Sequence, residues 1–235
     1  NGRLSLNVVS SWWQQEALKY GIEFEKHDDR YARMEEWVKV VTTCWEQDHF
    51  SFEGKYYKVE DNILQPKPIV KPPIYAGGES EAGKDLIARV CDGYVMHGDS
   101  PEVIGQRIQD VKQRREKLGL PPMTYGVAGY SIVRSTDAEV KKELERITNV
   151  SAHAAGYNNY QQWLNGTQLE KRVSLEDYSV SNRGLRTGLT GTPEKIAEQI
   201  EAFEKAGVDF FLLQCSPQLE EMERFAEAIM MYQPA

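Results

Sequence analysis

The chain has 235 residues, 40% of them hydrophobic, which is enough for one large domain or two small ones with a substantial core. A formal net charge of −8, without a basic run or a basic amphipathic helix, excludes a nucleic-acid or anionic-membrane surface and points to a small ligand. No stretch approaches the roughly 20 apolar residues of a membrane span, and Cys44, Cys91 and Cys215, odd in number and set apart in apolar runs, read as reduced, buried thiols of a cytoplasmic protein with no CxxC metal pair.

The chain opens at Asn1-Gly2-Arg3, without an initiator methionine or a charged-then-apolar leader, and passes at once into the strand Leu4 to Val9. The expectation is a fold entered partway, with an N-terminal portion missing. A polar, aromatic segment follows, then a helix carrying Met34, Trp37, Val38, Val41, Cys44 and Trp45 at helical spacing. Phe50 to Val59, turning at Gly54-Lys55, predicts a small hairpin, and Pro66, Pro68, Pro72 and Pro73 form a stiff connector.

The next unit is the most informative one. The strand Ile74-Tyr75-Ala76 runs into Gly77-Gly78-Glu79-Ser80 and then into a helix through Leu86, Ile87 and Val90. Glycines allow close backbone approach, a serine stands at the turn, and the first N–H groups of a helix lack intrahelical partners, so the layout suits a phosphate. The same layout also serves simply to reverse a chain.

Gly93 to His97 predicts a third strand, and Ser100-Pro101-Glu102 caps the helix behind it. Tyr125 to Val133 predicts a fourth strand, followed by a charged helix from Asp137 through Ile147. Residues 152–188, rich in Asn, Gln, Ser and Tyr, read as an insertion or lid, with Arg183 and Arg186 either closing over an anion or lying in a solvated charge run. Thr192-Pro193-Glu194 begins another capped helix, Gly207 ends it, Val208 to Leu213 predicts the last strand, and a helix with Leu219, Met222, Phe225 and Ile229 closes the chain. Strands that alternate with helices imply a parallel sheet. An open doubly wound sheet could stop there. Polar or aromatic residues at every strand end, among them Ser10, Glu79, His97, Arg134 and Ser216, suit a barrel better, one from which three strands are absent.

Several segments together carry a resemblance: Gly2 through Trp12, His27-Asp28-Asp29-Arg30-Tyr31, Phe52-Glu53-Gly54-Lys55-Tyr56-Tyr57, Pro66-Lys67-Pro68, Gly77-Gly78-Glu79-Ser80 and Gly191-Thr192-Pro193-Glu194. On these the chain resembles the bacterial luciferase-like family of flavin-dependent monooxygenases, and within it the dimethylsulfone and alkanesulfonate monooxygenases. The resemblance implies an α/β fold, a TIM-type (β/α)8 barrel of which this chain holds strands 4 to 8 with their helices as one domain over residues 1–235. It also implies reduced FMN supplied by a separate flavin reductase, dioxygen, a small organosulfur substrate whose carbon–sulfur bond is cleaved, and a homo-oligomer.

Residue by residue, the resemblance places His27 and Tyr31 at the flavin phosphate and ribityl chain, together with Gly78, Glu79 and Ser80, with Glu79 contributing its backbone only. Asn7 and Ser10 fall under the isoalloxazine, and Trp12 and Trp13 wall the pocket or serve structure. Ser11 stands where relatives commonly have glycine. Ala128 and Tyr130 stand where the alkanesulfonate enzymes carry an arginine and a histidine, and Ser216 where they carry a tyrosine. The lack of cations favours a neutral sulfone over a charged sulfonate. His97 and Tyr130 are the candidate catalytic residues, His97 as an acid/base or a polar wall. A flavin-binding relative without turnover and an oxidoreductase using deazaflavin F420 are the alternatives, since a phosphate turn does not discriminate between flavins.

Overall fold

A computed structural model of the chain describes residues 2–11, 13–149, 160, 161, 164, 173–180 and 183–231. Trp12 and most of the expected insertion at 152–188 lie outside the described residues. The chain forms two compact units, Asn1–Tyr94 with Val111–Met123, and Val95–Asp110 with Thr124–Ala235.

In the first unit the elements are β1 (Leu6–Val8), α1 (Gln14–Lys19), α2 (His27–Glu46), the hairpin strands β2 (Phe50–Glu53) and β3 (Lys58–Asn62), β4 (Ile74–Ala76), α3 (Glu81–Val90) and the first half of β5 (Gly93–Met96). Strand β1 pairs in parallel with β4, Leu6 opposite Ile74 and Val8 opposite Ala76, and β4 pairs in parallel with β5, Tyr75 opposite Gly93. Ile74, Ala76 and Tyr94 are solvent-free, as are Leu86, Ile87 and Ala88 of α3 to within 1%. Strand alternation puts Asn7 and Tyr75 together on the opposite, more open face. Helix α3 begins on a Ser80 cap, and its last turn is closed by the buried Arg115 guanidinium, which donates to the carbonyls of Ala88 (3.0 Å) and Cys91 (2.9 Å). Those carbonyls have no intrahelical donor, so a buried cation at that end satisfies them and complements the helix dipole.

The hairpin is tied to α2 by carboxylates. Glu36 accepts the backbone N–H groups of Lys55 (2.9 Å), Tyr56 (2.9 Å) and Tyr57 (3.3 Å), while Asp29 accepts from the Lys55 ammonium (2.7 Å) and the Tyr56 hydroxyl (2.9 Å). Gly54 is required there, because any β-carbon would overlap the Glu36 carboxylate and the Phe52 ring.

The second unit holds the end of β5, the N-terminal part of α4 (Pro101–Lys117), β6 (Thr124–Tyr130), β7 (Ile132–Val133), α5 (Asp137–Thr148), α6 (Leu175–Ser179), a 3-10 turn Gly184–Thr187, β8 (Thr190–Gly191), α7 (Pro193–Ala206), β9 (Phe210–Gln214) and α8 (Gln218–Phe225), which continues in wider π-type winding to Met230. Here β5, β6 and β9 neighbour one another in that order, with β6 and β9 parallel from Gly126 opposite Phe210 to Tyr130 opposite Gln214.

Three expectations are corrected. The strand read as continuous from Tyr125 to Val133 breaks at Ser131: its N–H donates to Gln214, but the Ile132 N–H turns to Leu189, so β7 leaves β9 and pairs with β8 instead. The polar segment after β1 contains the short helix α1, which buries only Ala17 and so shows little apolar periodicity. Of the three thiols only Cys91 is buried, whereas Cys44 and Cys215 are half-buried.

Candidate functional site

Helix α2 begins at His27 without a side-chain cap, and the side chains of its first five residues diverge to distinct tasks. Arg30, Met34 and Val38 share the buried stripe at i, i+4, i+8, so an arginine occupies a core-facing position. It is 7% exposed, stacks 4.2 Å from the centroid of the Phe24 ring, and donates from Nε to the Ser11 carbonyl (3.2 Å) and from Nη1 to the Glu25 carbonyl (2.6 Å). Asp29 holds the hairpin, as described above. His27 and Tyr31, four residues apart, meet edge to face with ring centroids 5.0 Å apart.

Tyr31 reaches the diglycine turn. A β-carbon built at Gly78 would stand 3.0 Å from the Tyr31 hydroxyl oxygen, and one at Gly83 only 2.8 Å from it. The phenol therefore occupies space that exists because both residues are glycine. The turn is also held by Tyr94, whose solvent-free ring donates its hydroxyl to the Gly78 carbonyl at 2.7 Å. Ser80 is 8% exposed and its Oγ accepts the Gly83 N–H at 3.2 Å, which leaves the hydroxyl proton to donate. Glu79 sits half-buried between Gly78 and Ser80.

The resemblance thus finds its histidine, tyrosine, glycine and serine in one place. His27 Nδ1 lies 2.8 Å from Asp28 Oδ1, so that nitrogen is engaged. The Tyr31 hydroxyl donates to no group among the described residues. A phenol O–H, a serine O–H and the open N–H groups of the first turn of the ten-residue helix α3 form a donor set that suits a phosphate monoester such as that of FMN. Asn7 is exposed on β1, Ser10 is half-buried beyond it, and Ser11 follows in the left-handed region at φ 63°. That conformation explains why glycine suits this position, and why a carbonyl hydrogen bond from Arg30 accompanies serine there.

The first unit also contains an open hollow of about 490 Å³ lined by Val9, Ser10, Ser11, Arg30, Met34 and Trp37 among others.

The candidate catalytic residues lie in the second unit. His97 is half-buried directly after β5, and Arg107 donates to its carbonyl (3.4 Å) while pairing with Asp99 (2.8 Å). Gly98, next in sequence, has no room for a side chain, since a β-carbon would sit 2.5 Å from the Arg183 carbonyl and 3.0 Å from that of Ala128. Tyr130 ends β6, is 6% exposed and packs with Ile132 and Val180, with Leu144 and Ile147 of α5 beside it. Burial pushes its phenol above the usual tyrosine range, the nearby Arg146 only partly opposing this. It borders a hollow of about 460 Å³ with Arg146, Gln214, Cys215 and Ser216. Arg146 is held by Glu143 (2.6 and 3.0 Å) and donates to the Ser216 carbonyl (2.8 Å). Arg183, expected in a lid or a solvated run, is 1% exposed with φ 76° and so is not a solvated surface charge, whereas Arg186 is exposed and pairs with Asp177 at 2.6 Å.

Sequence reasoning passed over Arg30, Asp29 and Arg115. The signal for Arg30 was its place on the apolar stripe of α2. Arg115 donates to the nearby Pro121 carbonyl, but its role at α3 and that of Asp29 at the hairpin join groups 24 or more residues apart, and nothing local marks such partners.

A family model described as luciferase-like monooxygenase matches residues 1–209. A protein of Pseudomonas fluorescens strain Pf0-1 named FMNH2-dependent dimethylsulfone monooxygenase is 33% identical over 237 residues, covering 98% of this chain and 65% of its own length. A protein of the same name from Pseudomonas putida is 33% identical over 244 residues, covering 97% of this chain and 65% of its own. The chain thus spans 65% of the length of these relatives. Among solved structures, a long-chain alkane monooxygenase superposes with a TM-score of 0.80 at 22% identity, over 96% of this chain and 61% of that one, a likeness of fold.

Proposed function

This chain belongs to the luciferase-like monooxygenase family, and on that premise we propose that it serves an FMN- and dioxygen-dependent monooxygenase reaction on a small, neutral organosulfur compound. The observation that carries the reading is the convergence of Tyr31 on the Gly78–Gly83 turn beside the Ser80 cap. Two relatives at 33% identity bear the name of an FMNH2-dependent dimethylsulfone monooxygenase, which supports the cofactor and the substrate class. Delivery of reduced flavin by a separate reductase belongs to the same reading.

Reduced FMN, when bound, would supply the electrons that activate dioxygen. The chain's own residues bind and orient. Tyr31, Ser80 and the first N–H groups of α3 would hold the phosphate, with Gly78 allowing backbone approach, Glu79 contributing its main chain and His27 closing the side toward solvent. Asn7 and Ser10, at the C-terminal end of β1, would contact the ring, since sites of parallel α/β sheets gather at that end of the strands.

His97 and Tyr130, also at strand ends, would face the substrate. A tyrosine phenol is protonated near neutral pH and burial only raises Tyr130 further, so it would offer an O–H to a sulfone oxygen, and His97 would form a polar wall or hold a proton. The compensated charge of Arg146 supports a neutral substrate, because a guanidinium already paired with Glu143 gains little from a sulfonate.

Titration with FMN, followed by flavin fluorescence, tests the cofactor. Oxygen uptake with dimethyl sulfone, NADH and a flavin reductase tests the reaction. Binding without uptake on any small sulfone would refute turnover and leave a flavin-binding relative.

A further inference from the structure

Arg30 stands between the two halves of the proposed cofactor site. Its Nε donates to the carbonyl of Ser11, the residue after Ser10 at the end of β1, and its Nη1 donates to the carbonyl of Glu25, two residues before His27 at the start of α2. The Phe24 ring supports the guanidinium from one face, and only 7% of the residue is exposed. Tyr31, the next residue on α2, carries the phenol that meets the Gly78 turn. One planar group therefore ties the strand end that bears Ser10 and Asn7 to the helix start that bears His27 and Tyr31.

We propose that Arg30 is a positioning residue that fixes the distance between the ring-contacting end of β1 and the phosphate-contacting start of α2. The proposal rests on the flavin reading given above. FMN carries its ring and its phosphate at opposite ends, so both ends contribute to affinity only if the two parts of the site are held at one separation. A guanidinium suits this task because its donors diverge in a fixed plane and reach two carbonyls at once, whereas a lysine ammonium is a single point on a flexible stem. Ser11 adds to the need for a brace. Its left-handed backbone at φ 63° is disfavoured for serine, so without the Arg30 hydrogen bond the strand end would relax toward an ordinary conformation and carry Ser10 with it.

The test compares FMN with riboflavin, which has the ring but no phosphate. Dissociation constants for both are measured by flavin fluorescence on the wild-type chain, on Arg30→Lys, and on Arg30→Lys combined with Ser11→Gly, with circular dichroism to establish folding. The wild type should prefer FMN strongly. Arg30→Lys should lower that preference about tenfold while riboflavin affinity changes little, because the lost quantity is preorganisation of the second contact. Ser11→Gly should restore part of it, since glycine holds the left-handed turn unaided.

Equal weakening of both ligands would show a general structural role and overturn the proposal, as would an unchanged ratio. If Arg30→Lys does not fold, Phe24→Leu, which loosens the guanidinium but keeps both hydrogen-bond acceptors, should lower the ratio about threefold, and an unchanged ratio there overturns the proposal. A wild-type chain that binds neither flavin refutes the cofactor reading itself, and this proposal with it.

Discussion

The Tyr31 hydroxyl oxygen lies 2.8 Å from the point where a β-carbon on Gly83 would sit. A residue at the start of one helix is thereby fitted to the first turn of another, 52 positions later, through an absent side chain.

Gly83→Ala should separate stability from binding. Alanine in the first turn of α3 gains up to about 1 kcal/mol of helix propensity, but its β-carbon would stand 2.8 Å from the Tyr31 hydroxyl oxygen, 3.1 Å from Tyr31 Cζ and 3.2 Å from the capping Ser80 Oγ, so the phenol ring must move and the cap must give. The two effects offset, so the melting temperature should change little, while FMN affinity falls. Tyr31→Phe removes the donor alone and should weaken FMN roughly two- to tenfold with riboflavin unaffected. Both are read from flavin fluorescence titrations beside thermal melts, and equal loss for the two flavins would refute a phosphate contact.

Ser11→Gly in the otherwise unaltered chain should stabilise by up to about 1 kcal/mol, because serine is held at φ 63° where glycine is unstrained. The increment is capped by the greater freedom of glycine in the unfolded chain. Urea midpoints measure it, and a destabilisation would mean that the serine side chain itself contributes to the turn.

Acid should release the hairpin before it unfolds the core. The Lys55 ammonium and the Tyr56 hydroxyl hold the Asp29 carboxyl below its usual range. Partial burial pushes Glu36 upward, but the N–H groups of Tyr56, Lys55 and Tyr57 outweigh it and leave that carboxyl lowered as well. A depressed carboxyl stabilises the fold above its ordinary value, and that contribution is lost as pH falls through the depressed one. Amide exchange at Lys55, Tyr56 and Tyr57 should therefore accelerate only below the ordinary carboxylate range. Asp29→Asn and Glu36→Gln should bring the acceleration to neutral pH.

The Cys91 thiol is pushed up to about 12 by burial, with Asp92 adding to the effect. Thiolate is the reactive form, so native protein at pH 8 should leave Cys91 unmodified by iodoacetamide while the half-buried Cys44 and Cys215 are open to slow labelling. Peptide mass spectrometry reads the three sites, and Cys91 should label only once the chain is denatured.

The alternation of strand and helix, the serine at the diglycine turn, the hairpin at Gly54 and the His27–Tyr31 spacing were legible in the sequence, because each depends on neighbours within a few positions. Backbone geometry makes i, i+4 spacing a face and a glycine pair a turn wherever they occur. The break at Ser131 was not legible, since it is decided by which strand's carbonyl, Gln214 or Leu189, stands opposite each N–H. Nor were the burial of Arg183, the brace at Arg30 or the cap by Arg115. A buried cation is tolerated only where the fold brings acceptors to it, and for Arg30 and Arg115 these include carbonyls of distant segments, Ser11 and Ala88 with Cys91. Local pattern determined the glycine turn, its serine and the His27–Tyr31 spacing; the meeting of Tyr31 with Gly78 and Gly83 was decided by tertiary packing, which alone sets distances between elements far apart in sequence.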